Sequence, residues 1–146
     1  MSEESPSYDD ILLPTDGSRR AERAVDHGFK LADLADATVH GLYVVDERRS
    51  GETPALSSYE IAVKQYEGRG EDLTEGLRKR AHNAHPDATT EVTHGIPYEE
   101  IIGYAEKRDI DVIVMGRSGA GGAEAPHMGS VTDRVLRTTD IPVFTV

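Results

Sequence analysis

Short apolar runs alternate with segments of helical periodicity along the chain, and this alternation constrains the fold more than any other feature. The runs predict five strands, at Ile11–Leu13, Thr38–Val45, Ala88–Gly95, Ile110–Met115 and Ile141–Val146. Between them, apolar residues recur three or four positions apart, as in helices that cover a sheet. The predicted order is β-α-β-α-β-α-β-loop-α-β. We therefore expect an α/β fold with a doubly wound parallel sheet and helices on both faces.

Local signals predict where the helices begin. Ser18 offers a capping side chain to the first helix, and Pro97 fits the first position of the third. Ser130 and Asp133 have the spacing of a capping box, which predicts that Ser130 caps a last helix ending at Thr138. Three glycines fall inside the long second helix, Gly68, Gly70 and Gly76. Each is expected to weaken that helix by about 1 kcal/mol relative to alanine.

The charge balance limits the partners of the chain. Its 146 residues include 27 acidic and 16 basic ones, for a formal net charge of −11. This charge argues against nucleic acid or an anionic membrane as the main partner. The length fits one domain, residues 1–146, with 1–7 as a flexible tail. With no cysteine and no apolar run of ~18 residues, we expect a soluble, cytoplasmic protein.

The basic residues comprise twelve arginines and only four lysines. An acidic excess with scarce lysine suits a high-salt cytoplasm, where screening suppresses self-repulsion. An ordinary acidic protein is the alternative, and the composition leaves both open.

Ligands of doubly wound sheets bind outside the carboxyl ends of strands, where the strand order reverses. The first strand ends in PTDGS, residues 14–18. There, Asp16 either accepts hydrogen bonds from a ribose hydroxyl or a base amine, or caps a turn, which is the commoner role of an Asp-Gly pair. The second strand ends near Val44, where backbone groups could pair with a purine edge.

The loop after the fourth predicted strand reads GRSGAGGAEAPHMGS, from Gly116 to Ser130. Its five glycines and one proline, with no apolar residue before Met128, cannot pack a core. Phosphate binding requires backbone N–H groups that point inward, which glycine permits. A helix N-terminus adds unpaired donors and partial positive charge. We interpret the loop as a phosphate cradle, although it matches neither GxxxxGK[ST] nor GxGxxG.

The loop resembles the G-x2-G-x9-G-[ST] motif of the nucleotide-binding branch of the universal stress protein family. ILLPTDGS is similar to that family's first strand and turn, LYVVDE to its second strand, and HGIPYEEII to its third strand and the next helix. IDVIVMGRSG and GSVTDRVL–IPVFTV are similar to its fourth strand and C-terminal end. The resemblance covers nearly the whole chain.

This resemblance implies an adenine-nucleotide α-hydrolase-like sheet of order 3-2-1-4-5 and a homodimer that pairs residues 141–146 antiparallel. It also implies bound ATP, with AMP or another adenine nucleotide as alternatives, and Mg²⁺ or Mn²⁺ carried by the phosphates. The implied nucleotide-binding residues are Pro14, Thr15, Asp16, Val44, Gly116, Arg117, Gly119, Gly129, Ser130 and Val131. The first three would meet ribose and adenine, the Val44 backbone the base, and the others the phosphates. The Arg117 side chain either reaches phosphate or points to solvent.

No catalytic constellation accompanies the predicted cradle. His82 and His85 are close in sequence, but a solvated pair is the expected reading, and His127 is expected to be a solvent-exposed loop residue. Without a placed base, any hydrolysis is expected to be slow. The leading hypothesis is an ATP-dependent regulatory module of a stress response. The alternatives are a slow ATPase or self-phosphorylating enzyme, and a ligand-free interaction dimer.

Overall fold

The computed structural model describes residues 5–47, 56–84, 87–118 and 128–146. Their helices and strands are β1 (Asp10–Pro14), α1 (Arg19–Ala35), β2 (Thr38–Asp46), α2 (Leu56–Ala84), β3 (Ala88–Gly95), α3 (Pro97–Lys107), β4 (Val112–Met115), α4 (Ser130–Thr138) and β5 (Val143–Thr145). The strands form one sheet of order β3-β2-β1-β4-β5, in which every neighbouring pair is parallel. The predicted architecture and strand order are confirmed.

Both faces of the sheet carry a core, which explains why the central strands are continuous apolar runs. On one face, Leu13 and Val114 pack with apolar residues of α1 and α2, including Phe29. On the other, Leu12 and Ile113 pack with residues of α3 and α4. Alternate residues of one strand thus reach opposite cores. Of the helices in the described ranges, none is long and apolar enough to cross a membrane.

The two last strands are shorter than the sequence predicts. β4 begins at Val112 because Ile110 is part of the turn after α3, where its N–H donates to the Ala105 carbonyl (2.9 Å). β5 begins at Val143 because the Ile141 N–H is turned toward the Thr139 hydroxyl (3.1 Å). The predicted strands exist, but local turns take up their first residues.

Helix α2 packs closely on the sheet through glycine. A Cβ placed at Gly70 would lie 2.5 Å from the Tyr43 ring, whereas Gly68 and Gly76 have nothing within 4 Å. From the sheet side, Gly41 of β2 makes a similar approach to Leu77, 2.6 Å from a placed Cβ. Gly70 therefore has a packing role that the sequence pattern did not distinguish from the other two helix glycines.

Aspartates gather at the amino edge of the sheet, where each strand begins. They are Asp9, Asp10, Asp36, Asp87, Asp109, Asp111 and Asp140. Asp36 and Asp109 adopt left-handed conformations (φ 55° and 52°) after α1 and α3, and Asp111 Oδ2 accepts from the N–H groups of Asp9 and Asp10 (2.8 and 2.9 Å). Helix C-termini, which carry partial negative charge, lie at the same edge. This edge therefore concentrates carboxylates and helix C-termini.

A buried histidine links the sheet to α3. His40 Nδ1 lies 2.8 Å from the Tyr104 hydroxyl, and Nε2 lies 2.8 Å from Asp10 Oδ1. His40 and Tyr104 are both buried. Burial raises the pKa of Tyr104 above its usual value of 10.0, and the nearby Arg108 guanidinium opposes that shift.

Candidate functional site

The candidate site lies at the carboxyl edge of the sheet, above the end of β1. β1 leads into α1 on one face, whereas α4, which follows β4 in the chain, packs on the other. Since β1 and β4 are neighbours, the strand order reverses between them, which is where doubly wound sheets bind ligands. β2 and β4 flank β1, and strand spacing puts them about 10 Å apart.

The turn after β1 is held by its own side chains. Gly17 has a φ of +81°, and its N–H donates to Thr15 Oγ1 (3.3 Å). The Ser18 N–H donates to Asp16 Oδ1 (2.9 Å), and Ser18 Oγ accepts from the Ala21 N–H (3.2 Å), as predicted for the α1 cap. Asp16 thus performs the turn role that the sequence left open, and its contact with a ligand remains a prediction.

β2 extends past β1 and directs backbone groups into the space above it. The β1–β2 register ends with Pro14 opposite Leu42, whose carbonyl then accepts from the Thr15 N–H (2.9 Å). Alternate residues of a strand turn their backbone groups to the same side, so the N–H and C=O of Val44 face the β1 side as those of Leu42 do. No residue of β1 lies opposite Val44. This adjacent donor and acceptor suit the edge of a purine.

Gly116 has a structural reason to be glycine. It is buried at the end of β4, where a Cβ would lie 2.9 Å from the Arg20 carbonyl carbon and 3.0 Å from the Ala21 nitrogen. These are backbone atoms of the first turn of α1, so they cannot rotate away as a side chain could. The packing of α1 on the strand end therefore requires glycine here, whether or not a ligand also approaches.

The predicted capping box at Ser130 is wrong. The N-cap of α4 is Gly129, with extended φ −68° and ψ 156°, and Ser130 is the first helical residue. The Gly129 N–H donates to the Arg117 carbonyl (2.6 Å), and the Gly129 carbonyl accepts the first helical hydrogen bond, from the Asp133 N–H (2.9 Å). The Asp133 carboxylate pairs with Arg137 (3.0 Å) instead of returning to the helix start.

The first turn of α4 presents unpaired donors at the carboxyl edge. The N–H groups of Ser130, Val131 and Thr132 form no hydrogen bond within the described part of the chain. Such groups, together with the positive end of the helix dipole, suit an anion. They lie on the β4 side of the crevice, where Thr132 bonds to Gly116, and so across the end of β1 from Val44.

Thr132 is the site residue that sequence reasoning missed. It is buried, and its hydroxyl donates to the Gly116 carbonyl (2.7 Å), which joins α4 to the end of β4. The two residues are separated by sixteen positions. No local pattern pairs residues at that spacing, so the contact has no signal in a single sequence.

The similarity of this chain to known proteins extends over nearly its whole length. The model of the universal stress protein family matches residues 7–146. The chain belongs to the universal stress protein family. Universal stress protein MJ0531 of Methanocaldococcus jannaschii is 35% identical over 139 residues, which span 95% of this chain and 82% of that protein. The solved structure of MJ0577, from the same organism, superimposes with a TM-score of 0.84 at 29% identity, over 95% of each chain.

Two more distant universal stress proteins have been solved with adenine nucleotides. One, 23% identical with a TM-score of 0.70 over 96% of this chain and 97% of that one, is in complex with cAMP. The other, from Archaeoglobus fulgidus, is 20% identical with a TM-score of 0.63 over 94% and 97%, and is in complex with dAMP. At these identities the likeness to our universal stress protein shows the fold.

The other predicted site residues of this universal stress protein have varied surroundings. Thr15 is buried and Val131 half-buried, whereas Arg117 is exposed, with its N–H donating to the Val146 carbonyl (2.8 Å). Ser118 is buried, and its hydroxyl has no hydrogen-bond partner in the described chain. Gly119, His85 and His127 lie outside the described residues. Over the described ranges, no group of three or more His, Asp or Glu is arranged to hold a metal ion.

Proposed function

We propose that this universal stress protein binds an adenine nucleotide, with ATP as the first candidate, and acts as a nucleotide-dependent regulatory module of a stress response. One observation carries the proposal. Across the end of β1, the open backbone of Val44 faces the crevice from one side, and the unpaired N–H groups of α4 lie on the other. The N–H and C=O of Val44 suit a purine base, and the N–H groups of α4 suit a phosphate.

This arrangement orients the nucleotide along the carboxyl edge of the sheet. The base would lie at Val44, and the ribose at the turn that contains Thr15 and Asp16. The phosphates would lie at the first turn of α4, where Ser130 and Val131 supply N–H groups and Ser130 an exposed hydroxyl. A divalent cation, Mg²⁺ or Mn²⁺, would arrive with the phosphates and neutralise part of their charge.

The remaining predicted residues are assigned to the phosphate end. Gly129 has an extended backbone beside the first turn of α4, and the exposed Arg117 side chain can pair with a terminal phosphate. Gly116 shapes the frame beneath them through its contact with α1. Gly119 completes the proposed set. The cAMP and dAMP complexes of proteins with this fold support an adenine nucleotide as the ligand.

Regulation by the bound state is favoured over turnover. Hydrolysis requires a group that orients or deprotonates water near the terminal phosphate. In the described part of the site, the carboxylate of Asp16 is engaged in the turn after β1, at the proposed ribose end. We therefore propose slow hydrolysis at most, and a signal that depends on whether nucleotide is bound.

A homodimer through residues 141–146 is part of the proposal. β5 is an outer strand of the sheet, and it bonds to β4 and to Arg117 through the carbonyl of Pro142 and the N–H and C=O of Val146. By alternation, the backbone groups of Val143 and Thr145 point away from β4. An open edge of this kind is a template for a second strand, and a second copy of the chain supplies one.

The ligand can be identified by mass spectrometry of small molecules released from the purified protein, followed by calorimetric titration of the stripped protein with ATP and AMP. We expect an adenine nucleotide, and at least roughly tenfold weaker binding by Gly129→Val because bulk is added beside the phosphates. The backbone of Gly129 lies in a region that valine adopts freely, so strain would not explain the loss. Gly103→Val is the matched control, since nothing lies within 4 Å of that glycine in α3.

The same measurements distinguish the alternative functions. If no nucleotide is released and neither ATP nor AMP binds, the proposal is wrong and a ligand-free interaction dimer is favoured. Multiple turnovers of ATP with Mg²⁺ or Mn²⁺, above the level of Gly129→Val, would instead establish an enzyme.

A further inference from the structure

We infer that Arg69 of α2 is a positioning residue for the ribose and base end of the nucleotide, an inference that rests on the proposed function. Its Nη2 donates to the backbone carbonyl of Asp16 at 3.3 Å. Asp16 belongs to the turn after β1, fifty-three residues earlier in the chain. A side chain from a distant helix therefore holds the main chain at the point where the ribose would bind.

The position of Arg69 is fixed by close packing on both sides of it. A Cβ at Gly17 would lie 3.2 Å from Arg69 Nη2 and 3.1 Å from Leu73 Cδ1, so the arginine lies directly against the turn. One residue further along α2, Gly70 meets the Tyr43 ring at 2.5 Å from a placed Cβ. The helix cannot move away from β2 without losing that contact. The arginine is thus supported by packed backbone although its own side chain is exposed.

Within the described residues, the charge of Arg69 is not matched by a carboxylate. Four other arginines do pair with carboxylates: Arg78 with Glu75, Arg80 with Asp26, Arg108 with Glu91, and Arg137 with Asp133. Arg69 has no such ion pair among the described residues, and its hydrogen bond goes to a neutral carbonyl. A guanidinium has five N–H donors. The N–H donors that do not bond to the Asp16 carbonyl can donate to the turn or to a bound ribose.

The strand order places Arg69 at the base end of the site. α2 packs on β2 and β3, whereas the unpaired donors of α4 lie beyond β1, on the side of β4. Arg69 is therefore on the Val44 side of the crevice and away from the proposed phosphate position. Its contribution to binding should depend on adenosine and not on the number of phosphates.

The test measures the affinity of the wild type and of arginine variants for four ligands. Arg69→Met retains much of the apolar stem and removes the donor, and it is titrated calorimetrically with adenosine, AMP, ADP and ATP. Titrations in about 1 M KCl reduce the screening length to about 3 Å, which suppresses general charge effects. We expect all four dissociation constants to rise by the same factor, roughly three- to tenfold, as for loss of one hydrogen bond. Arg69→Lys retains a donor and should recover most of the affinity, because the contact is single and not bidentate.

Arg78→Met is the control, since it removes an equal charge about 13 Å further along the same helix. It should leave all four constants unchanged. Amide hydrogen exchange of Gly17 and Ser18 in the ligand-free protein adds a readout without nucleotide, and Arg69→Met should accelerate it. Unchanged affinities and exchange would overturn the inference, as would a loss that grows with phosphate number, which would mark a direct phosphate contact. If the wild type binds none of the four ligands, the proposed function fails, and exchange still decides whether Arg69 holds the turn.

Discussion

Two hydroxyl side chains on the first turn of α4 have different surroundings. Thr132 is buried and donates to the Gly116 carbonyl (2.7 Å), whereas Ser130 is exposed at the first helical position. A buried carbonyl that loses its hydrogen-bond donor is left unpaired and out of reach of water, which costs free energy. When an exposed hydroxyl is removed, water takes over its hydrogen bonds. The burial of each hydroxyl thus sets its effect on stability.

Thr132→Val should lower the free energy of unfolding by about 1–3 kcal/mol, because the Gly116 carbonyl would lose its donor. Ser130→Ala should change it by less than about 0.5 kcal/mol, because the side chain does not cap the helix. Urea denaturation of both variants measures the difference. A loss near the ~1 kcal/mol typical of a removed N-cap at Ser130, with no loss at Thr132, would contradict this prediction.

The phenol of Tyr104 should ionise at higher pH than a solvated tyrosine, because burial raises its pKa. A pKa raised in the folded state means that the unfolded chain releases this proton first. The stabilising contribution is therefore complete below about pH 10 and is lost as pH rises through the folded pKa. The ultraviolet titration of the wild type minus that of Tyr104→Phe should isolate this ionisation above pH 10.0. A difference that titrates at or below pH 10.0 would disprove the assignment.

At the scale of the helix, the glycines of α2 should respond oppositely to alanine. Gly68→Ala and Gly76→Ala should each stabilise the protein by up to about 1 kcal/mol, because the added methyl group meets nothing and helix propensity improves. Gly70→Ala should destabilise it by about 1–3 kcal/mol, because Tyr43 is buried and must shift. Chemical denaturation of the three variants provides the comparison. A shift in the same direction at all three positions would show that α2 is not packed as described.

At the scale of the strand, Thr145→Pro should prevent the proposed dimer and leave the monomer folded. Its N–H points away from β4, so proline there removes an outward donor while the bonds made by Val146 stay in place. Light scattering after size exclusion should report a dimer for the wild type and for Thr145→Ala, and a monomer for Thr145→Pro. A dimer that survives the proline substitution would place the interface elsewhere.

The sequence predicted the elements well because each depends on a local pattern. Apolar runs and helical periodicity located the strands and helices, and Ser18 and Pro97 marked helix starts correctly. The errors occurred where distant residues decide the outcome. Gly129, which bonds to the distant Arg117, takes the cap position in place of Ser130, and Gly70 is required because Tyr43 lies beneath it. A single sequence does not show which distant residues meet.

For the candidate site, the sequence predicted the strand ends but not how they face one another. The backbone groups of Val44 are open to a ligand because β1 ends opposite Leu42, and the strand register alone determines that position. The role of Thr132 follows from the approach of α4 to β4. Both depend on assembled elements, so neither could be obtained from residue types and spacing.

Carboxylates and helix termini set the electrostatics of the whole molecule. Aspartates and helix C-termini occupy the amino edge of the sheet, whereas helix N-termini lie at the carboxyl edge with the candidate site. The net charge of −11 adds general self-repulsion. The unpaired N–H groups of α4 therefore offer an anion a locally favourable point on an acidic domain.

Screening should stabilise such a molecule. We expect the melting temperature to rise as KCl increases from about 0.05 M to about 1 M, because the screening length falls from roughly 14 Å to about 3 Å. Differential scanning calorimetry measures this, with an uncharged osmolyte at equal osmolality as the control. A melting temperature independent of salt would favour an ordinary acidic protein over one adapted to high salt.

The hydrogen bond from the Gly129 N–H to the Arg117 carbonyl has an evolutionary consequence. Arg117 and Gly129, which flank residues 118–128, lie within hydrogen-bond distance of each other. Doubling the length of a closed loop costs only about 0.6 kcal/mol. Insertions, deletions and exchanges between these two anchors can accumulate while β4, α4 and the Val146 contacts stay unchanged. Because of the hydrogen bond between Gly129 and Arg117, replacing the single segment 118–128 is a way for one scaffold to acquire new ligand preferences.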